Sequence, residues 1–418
     1  MTRSSFPPSL EKCYISLWNW FHSLSSSESS MPEVLLMDGG VSTHLENSIA
    51  PKAFSHRGLW SSSLLLTEEG RKSVVEGHRD WLNAGSDVLT TVTYQCHYGL
   101  FKSGASTERA SMSVGDNESL TEILSGERMK EMMRDGVLLA KRAIETTNPR
   151  NKSNMKNLAS STTSPTLGPF VVSSTGPYGA AMADGSEYTG KYPAHVTRQA
   201  LLNFHTRKAR TLLMEGEPDG LAVETIPNIE EVGVVCEVLR NLQQQREELQ
   251  PDSSPIACWI SLACRSGNEL NDGHTVEEAL RLVQSHDPTG RWIAAVGINC
   301  FDSAYMPSLV AIITKNSLTQ DCGRRGIVIY PNSGEGWDAV KEEWKGGSET
   351  SDVELTQRLI AAVQLVRDMC ESVVTEEEGA SQPDSLNHSC VPKIILGGCC
   401  RTNPATIAML RKKIDSFI

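Results

Sequence analysis

Eight short, continuously apolar runs constrain this chain more than any other feature. They cover residues 34–37, 88–92, 170–173, 220–223, 257–262, 294–298, 327–330 and 393–396. None alternates apolar with polar, so they read as strands covered on both faces, the condition of a parallel sheet. Parallel neighbours need crossovers, and helical patterns supply them. The stretch 68–84 sets Val74, Val75, His78, Trp81 and Leu82 on one face, opened by Thr67 and closed by Gly85. Further patterns run over 196–215, 229–249, 276–286, 353–373 and 404–414, with Thr275 and Glu278 spelling a capping box. Strand and helix alternate throughout. With right-handed crossovers, this predicts an α/β fold, a single (β/α)8 TIM-type barrel, rather than an open doubly wound sheet.

Three stretches break the rhythm and read as flexible loop insertions, near 102–125, 146–165 and 376–387. The second is dense in Ser, Thr and Asn, and the third carries the acidic run Glu376, Glu377 and Glu378. Residues 1–30 are Ser-rich, with Trp18, Trp20 and Phe21 clustered among few acidic residues, a composition with a faint transit-peptide character. With only one Arg, the favoured reading is a disordered extension ahead of a barrel domain over 31–418.

The 418 residues, 39% of them hydrophobic, suffice for a large core. A formal net charge of -12 repels a phosphate backbone, and no run of Lys and Arg makes a local exception, so nucleic acid is not an expected partner. No stretch approaches the roughly 20 apolar residues of a membrane span, so no membrane partner is expected either. The 11 cysteines are odd in number and scattered, without a secretory signal ahead of them; a reducing cytoplasm is expected, and a disulfide framework is not. Cys13, Cys96, Cys236, Cys258, Cys264, Cys322, Cys370 and Cys390 stand singly and read as small hydrophobes.

In such a barrel the reactive groups come from the C-terminal ends of the strands. The runs here end in Asp38-Gly39-Gly40, in Thr91 and Thr93-Tyr94-Gln95, in Glu224-Thr225, in Asn299-Cys300, in Pro331-Asn332-Ser333-Gly334-Glu335 and in Gly397-Gly398-Cys399-Cys400. Adjacent cysteines make a strained disulfide, yet both can turn toward one metal if the backbone bends, and Gly397 and Gly398 supply that freedom. Strands six and eight lie roughly 10 Å apart, so Cys300, Cys399 and Cys400 can meet at one ion with Zn–S bonds near ~2.3 Å and one position open. A buried thiol beside a chance doublet explains the spacing equally well, and no zinc-finger template fits it. Asp-Gly-Gly is also an ordinary turn, and a single Glu after a strand is often a cap or loop charge.

The blocks Gly297-Ile298-Asn299-Cys300 and Gly397-Gly398-Cys399-Cys400 resemble the two zinc motifs of the homocysteine S-methyltransferases. Leu36-Met37-Asp38-Gly39-Gly40, Gly58-Leu59-Trp60, Thr91-Val92-Thr93-Tyr94-Gln95, Asp184-Gly185-Ser186-Glu187-Tyr188-Thr189-Gly190, Glu224-Thr225-Ile226-Pro227 and Tyr330-Pro331-Asn332-Ser333-Gly334-Glu335 are similar to that family's other blocks, in order. The resemblance runs from Val34 to the C-terminus apart from the insertions. It implies a Zn2+-bearing barrel held by Cys300, Cys399 and Cys400, with the substrate thiol at the remaining site. It further implies that Asp38 and Glu224 bind the amino group of homocysteine, that Gly39 and Gly40 approach its carboxylate, and that Thr91 joins the substrate-binding set. Trp60, Gln95 and Glu335 match motif positions without separable roles.

The implied partners are small molecules, homocysteine and a sulfonium methyl donor; the oligomeric state is not set. The forms of Thr93-Tyr94-Gln95 and Asn332-Ser333-Gly334-Glu335 are most similar to the branch using S-methylmethionine or S-adenosylmethionine, with betaine and folate users more distant. Ser174-Thr175-Gly176 and Ser261-Leu262-Ala263-Cys264 depart from the commonest spelling, away from the metal motifs. Three rivals are weighed. A Rossmann-type methyltransferase lacks its G-x-G-x-x-G turn here. A structural zinc requires a fourth protein ligand, and a redox role requires a reversible Cys399–Cys400 disulfide.

Overall fold

The computed structural model describes residues 15–23, 32–50, 59–99, 113–114, 118–119, 126–147, 168–251, 253–320, 325–334, 336–338, 343–345, 350–378 and 391–417. Eight parallel strands form one sheet: β1 (Val34–Leu36), β2 (Val88–Thr90), β3 (Phe170–Thr175), β4 (Gly220–Ile226), β5 (Ala257–Leu262), β6 (Ala295–Asn299), β7 (Gly326–Tyr330) and β8 (Ile394–Leu396). Their order around the sheet is β1-β8-β7-β6-β5-β4-β3-β2. Each is followed by a crossover helix: α1 (Glu68–Ala84), α2 (Glu127–Thr146), α3 (Arg198–Met214), α4 (Ile229–Leu249), α5 (Val276–His286), α6 (Met306–Gln320), α7 (Asp352–Glu378) and α8 (Pro404–Phe417). The expected barrel is present, with α2 and α6 added to the helices delimited from sequence. α1 begins at the Thr67 cap and ends at left-handed Gly85, and the Thr275–Glu278 capping box opens α5.

Between β1 and β2 the barrel closes through a Met37–Val88 bridge, and two aspartates complete this seam. Asp87 accepts the Leu36 N–H at 2.8 Å and pairs with Arg411 of α8. Asp38 accepts the Thr90 N–H at 2.6 Å and the Thr90 hydroxyl at 2.9 Å. Backbone groups that a ladder would normally satisfy are thus met by carboxylates.

The strands bury both faces. Outward residues such as Leu36, Leu221, Ile260, Ile298 and Ile329 pack against the helix ring. Inward residues Leu35, Val88, Phe170, Val172, Ala222, Trp259, Val328 and Ile395 fill the barrel. That inner core also contains Leu17, Trp20 and Phe21 from an N-terminal helix, Leu17–His22. The helix plugs the N-terminal end of the barrel. A Cβ at Gly220 would stand 3.3 Å from Leu17, and one at Gly326 would collide with the Phe21 ring, so both strands open with a residue that leaves room. Trp20 Nε1 donates to Glu33 at 3.1 Å, and buried Lys393 pairs with the same carboxylate at 3.1 Å.

This corrects the expectation of a disordered stretch over 1–30: residues 15–23 are structured because their aromatic side chains are part of the core. Residues 1–14 and 24–31 lie outside the described residues. Of the expected insertions, 102–125 contributes a short antiparallel pair, Ser113–Val114 with Glu118–Ser119. Residues 148–165 and 379–387 lie outside the described residues, whereas 376–378 are the last residues of α7 rather than loop. Among the described residues no helix is long and apolar enough to cross a membrane.

Candidate active site

Strand alternation decides what reaches the mouth. Ser174, Glu224, Ser261, Asn299 and Tyr330 share the parity of inward-facing Val172, Ala222, Trp259, Gly297 and Val328, one layer nearer the C-terminal end. Glu224 accepts a hydrogen bond from the Ser174 hydroxyl, and the Tyr330 hydroxyl bonds to Ser261 Oγ at 2.8 Å. Burial raises the Glu224 carboxyl above its ordinary range, with Ser174, Tyr330 and Lys208 opposing that rise. Asp38 is 1% exposed, and burial raises it well above the usual carboxylate range; the Thr90 bonds oppose this, and the charge of Glu224 adds to it. Two buried carboxylates that disfavour each other's ionisation make a pocket that a cationic group relieves.

Cys300, the first residue past β6, stands on strained backbone: it has φ 52°, and Trp60, Thr225 and Arg401 have φ 41°, 63° and 66°. All lie in the left-handed region, which L side chains adopt only when the surroundings impose it. Asn299 is one cause: its Oδ1 accepts the Thr225 N–H at 2.8 Å, and its Nδ2 donates to Thr225 Oγ1 at 2.8 Å. The same Nδ2 reaches Cys399 Sγ at 3.9 Å. The Cys399 N–H donates to the Pro331 carbonyl at 2.8 Å, and a Cβ at Gly40 would stand 2.6 Å from the Cys399 carbonyl oxygen. The cysteine loop therefore lies against Gly39-Gly40 and has no room for a larger residue there.

These constraints bring the Sγ atoms of Cys300, Cys399 and Cys400 within 4.8 Å of one another, and the group has no fourth member among the described residues. Cys300 and Cys399 are joined as a disulfide, with Cα atoms 5.6 Å apart. A disulfide was not expected, and the redox alternative had paired Cys399 with Cys400. The bond forms instead between β6 and β8, because convergence on one ligand position also puts two sulfurs within bonding range, whereas adjacent residues bridge only with strain. Cys400 keeps its thiol, pushed up to about 12 by burial. In the reduced state, three sulfurs with no fourth protein donor suit a thiophilic, four-coordinate ion such as zinc with one position left for a ligand.

Thr91 is turned away from Asp38. Its side chain points to the helix layer, bonding Thr93 at 2.6 Å and the Ser174 N–H at 3.1 Å, with Gly136 of α2 behind it. Inward-facing Thr90 takes the position beside Asp38. Trp60 is half-buried at the start of a 3-10 turn, and Gln95 holds a buried Oε1 with no hydrogen-bond partner. Glu335 lies outside the described residues. Sequence reasoning missed Thr90, Ser174, Asn299 and Tyr330 as side chains of the pocket; carrying the inward parity one step past Val88, Val172, Gly297 and Val328 reaches all four. Asn299→Ala leaves the buried Thr225 N–H without its acceptor and is expected to cost about 1–3 kcal/mol. It also removes a contact to Cys399 and is expected to weaken metal binding about 10- to 100-fold, measured by thermal unfolding and chelator competition.

Residues 35–414 match the family model described as homocysteine S-methyltransferase. Homocysteine S-methyltransferase 1 of Brassica oleracea var. italica is 31% identical over 381 residues, 91% of this chain and 93% of the relative. Betaine-homocysteine S-methyltransferase of Drosophila melanogaster is 29% identical over 406 residues, 96% of this chain and 97% of the relative. The homocysteine methyltransferase MmuM from Escherichia coli, in its oxidised form, superposes with a TM-score of 0.59 at 24% identity, covering 92% of this chain and 97% of that one. Its metallated form gives 0.54 at 24% identity, covering 91% and 96%. Identity does not set the betaine relative apart from the plant one, so the expected distance from betaine users finds no support there. The match spans the barrel from its first strand to its last helix, and the chain belongs to the homocysteine S-methyltransferase family.

Proposed function

We propose that this chain transfers a methyl group from S-methylmethionine or S-adenosylmethionine to the thiol of L-homocysteine, forming methionine, with zinc held by Cys300, Cys399 and Cys400 of the reduced protein. The observation that carries this reading is the convergence of three sulfurs beside two buried carboxylates at one mouth of the barrel. A thiol of pKa near ~8.5 is mostly protonated at neutral pH, and zinc bound there supplies deprotonation and a fixed position for the substrate sulfur.

The chain's own groups do the rest. Asp38 and Glu224 receive the homocysteine ammonium, each held in place by bonds from Thr90 and Ser174. Gly39 and Gly40 let backbone come close to the substrate carboxylate. Asn299 keeps Thr225 and the Cys399 sulfur in register. The barrel from 31 to 418, together with the helix Leu17–His22 in its core, acts as one domain in a reducing compartment, where the three thiols stay available. Homocysteine offered separately with S-methylmethionine, S-adenosylmethionine and betaine is expected to yield methionine with a sulfonium donor. Turnover with betaine alone would overturn the donor assignment, and no methionine from any of them would overturn the function.

A further inference from the structure

Glu187 occupies the turn over 184–190, between β3 and α3, on a backbone that is held from several sides. Gly185 and Gly190 take φ 81° and 66°, Asp184 Oδ1 accepts the Ser186 N–H at 3.1 Å, and Asn271 Nδ2 donates to the Glu187 carbonyl at 2.9 Å. A Cβ at Gly179 would stand 2.6 Å from the Glu187 nitrogen, so the turn is packed against its neighbour without slack. Yet Glu187 Oε2 is buried with no hydrogen-bond partner among the described residues, whereas Glu224 and Asp38 accept hydroxyl or backbone donors. A buried acceptor without a donor costs about 1–3 kcal/mol, which a ligand can return.

The surroundings indicate which ligand. The Glu187 charge acts on the phenols of Tyr94 and Tyr188, and Tyr188 in turn interacts with Cys400. Tyr188 is 47% exposed, and its turn packs at the C-terminal end of β4, where a Cβ at Gly190 would stand 2.6 Å from the Pro227 carbonyl oxygen, while the Tyr94 ring lies against Gly176 just past β3. A carboxylate that bonds its own backbone N–H but keeps one buried oxygen without a donor, and that interacts with two phenols at this end of the barrel, is the chemistry that attracts an onium cation.

We propose that Glu187, with Tyr94 and Tyr188, holds the positive charge of the methyl donor. The inference rests on the methyl-transfer reading above. In the transfer, the donor's CH3–S bond breaks with its electron pair remaining on the donor sulfur, which becomes neutral, while the thiolate pair forms the new C–S bond. The charge Glu187 holds is thus greatest before reaction and gone afterwards. A contact that favours the bound cation over the charge-dispersed transition state lowers KM without raising kcat, and it weakens on the product.

Two assays on the full, zinc-loaded chain separate this inference from the reading beneath it. Methylation of homocysteine by the neutral reagent methyl methanesulfonate reports the metal-held thiolate alone; turnover with S-methylmethionine reports the donor site. Glu187→Gln is expected to raise KM for S-methylmethionine about tenfold or more, leaving kcat within about twofold and the neutral-reagent rate and homocysteine KM unchanged. An unchanged S-methylmethionine KM overturns the assignment, as does a parallel loss of the neutral-reagent rate, which would mark Glu187 as structural. If the wild type fails with the neutral reagent, the thiolate reading falls. Calorimetric binding of S-methylmethionine to wild type and Glu187→Gln then decides the cation site, with equal affinities counting against it.

Discussion

Cys399→Ala is expected to lose metal binding and at least about a thousandfold in kcat/KM, because on the proposed reading it removes one of the donors that would fix the ion and with it the deprotonated, positioned substrate thiol. The remaining Cys300 and Cys400 come from different strands of the barrel, and a two-sulfur site leaves too few protein ligands for a centre that must also admit substrate. The substitution is small in structural terms: Cys399 lies past the end of β8, and its backbone bonds to Pro331 and Thr402 do not involve the side chain. The variant should therefore fold. Metal analysis of the purified, reduced protein and methionine formation under saturating donor are the measurements, and a metal-free Cys399→Ala protein with full turnover would falsify the zinc–thiolate account. The same substitution removes the Cys300–Cys399 disulfide, so loss of activity that persists under strong reductant separates metal loss from thiol oxidation.

The second large effect concerns stability. Trp20→Ala is expected to cost about 3–5 kcal/mol, since it empties an aromatic site in the inner core where the surrounding strands cannot collapse. Gly220 and Gly326 face Leu17 and Phe21 of the same helix and bring no side chain of their own to this layer. The lost indole also leaves the Glu33–Lys393 pair without one of its donors. Thermal or urea unfolding of wild type and Trp20→Ala measures this. A loss under about 1 kcal/mol would mean the helix rests on the barrel without sharing its core.

The barrel was legible in the sequence because each parallel strand, buried on both faces, leaves an uninterrupted apolar run. All eight observed strands fall on those runs, with ends shifted by no more than a few residues. α1, α4 and α5 were equally readable, since caps at Thr67, Asn228 and Thr275 mark their starts chemically. The plug was not. Six residues are too few to establish a helical period, and the Ser-rich flanks dilute the aromatic cluster that matters.

At the site, the positions after the strands were visible, but the facing of a side chain there depends on register to a single residue. That is why Thr91 was chosen where Thr90 faces inward, and why Asn299 stood in a motif without a role. Spacing and barrel geometry left the three sulfurs level with a chance doublet, and it was the resemblance of Gly297-Ile298-Asn299-Cys300 and Gly397-Gly398-Cys399-Cys400 to the family's motifs that singled them out. Their disulfide was not legible, because composition reports the redox habit of a whole chain and is silent on two sulfurs forced to the same point.

With Leu17, Trp20 and Phe21 packed among the inward strand residues, the barrel interior is filled at its N-terminal end, so on the proposed reading both substrates and both products share the one entrance at the C-terminal mouth.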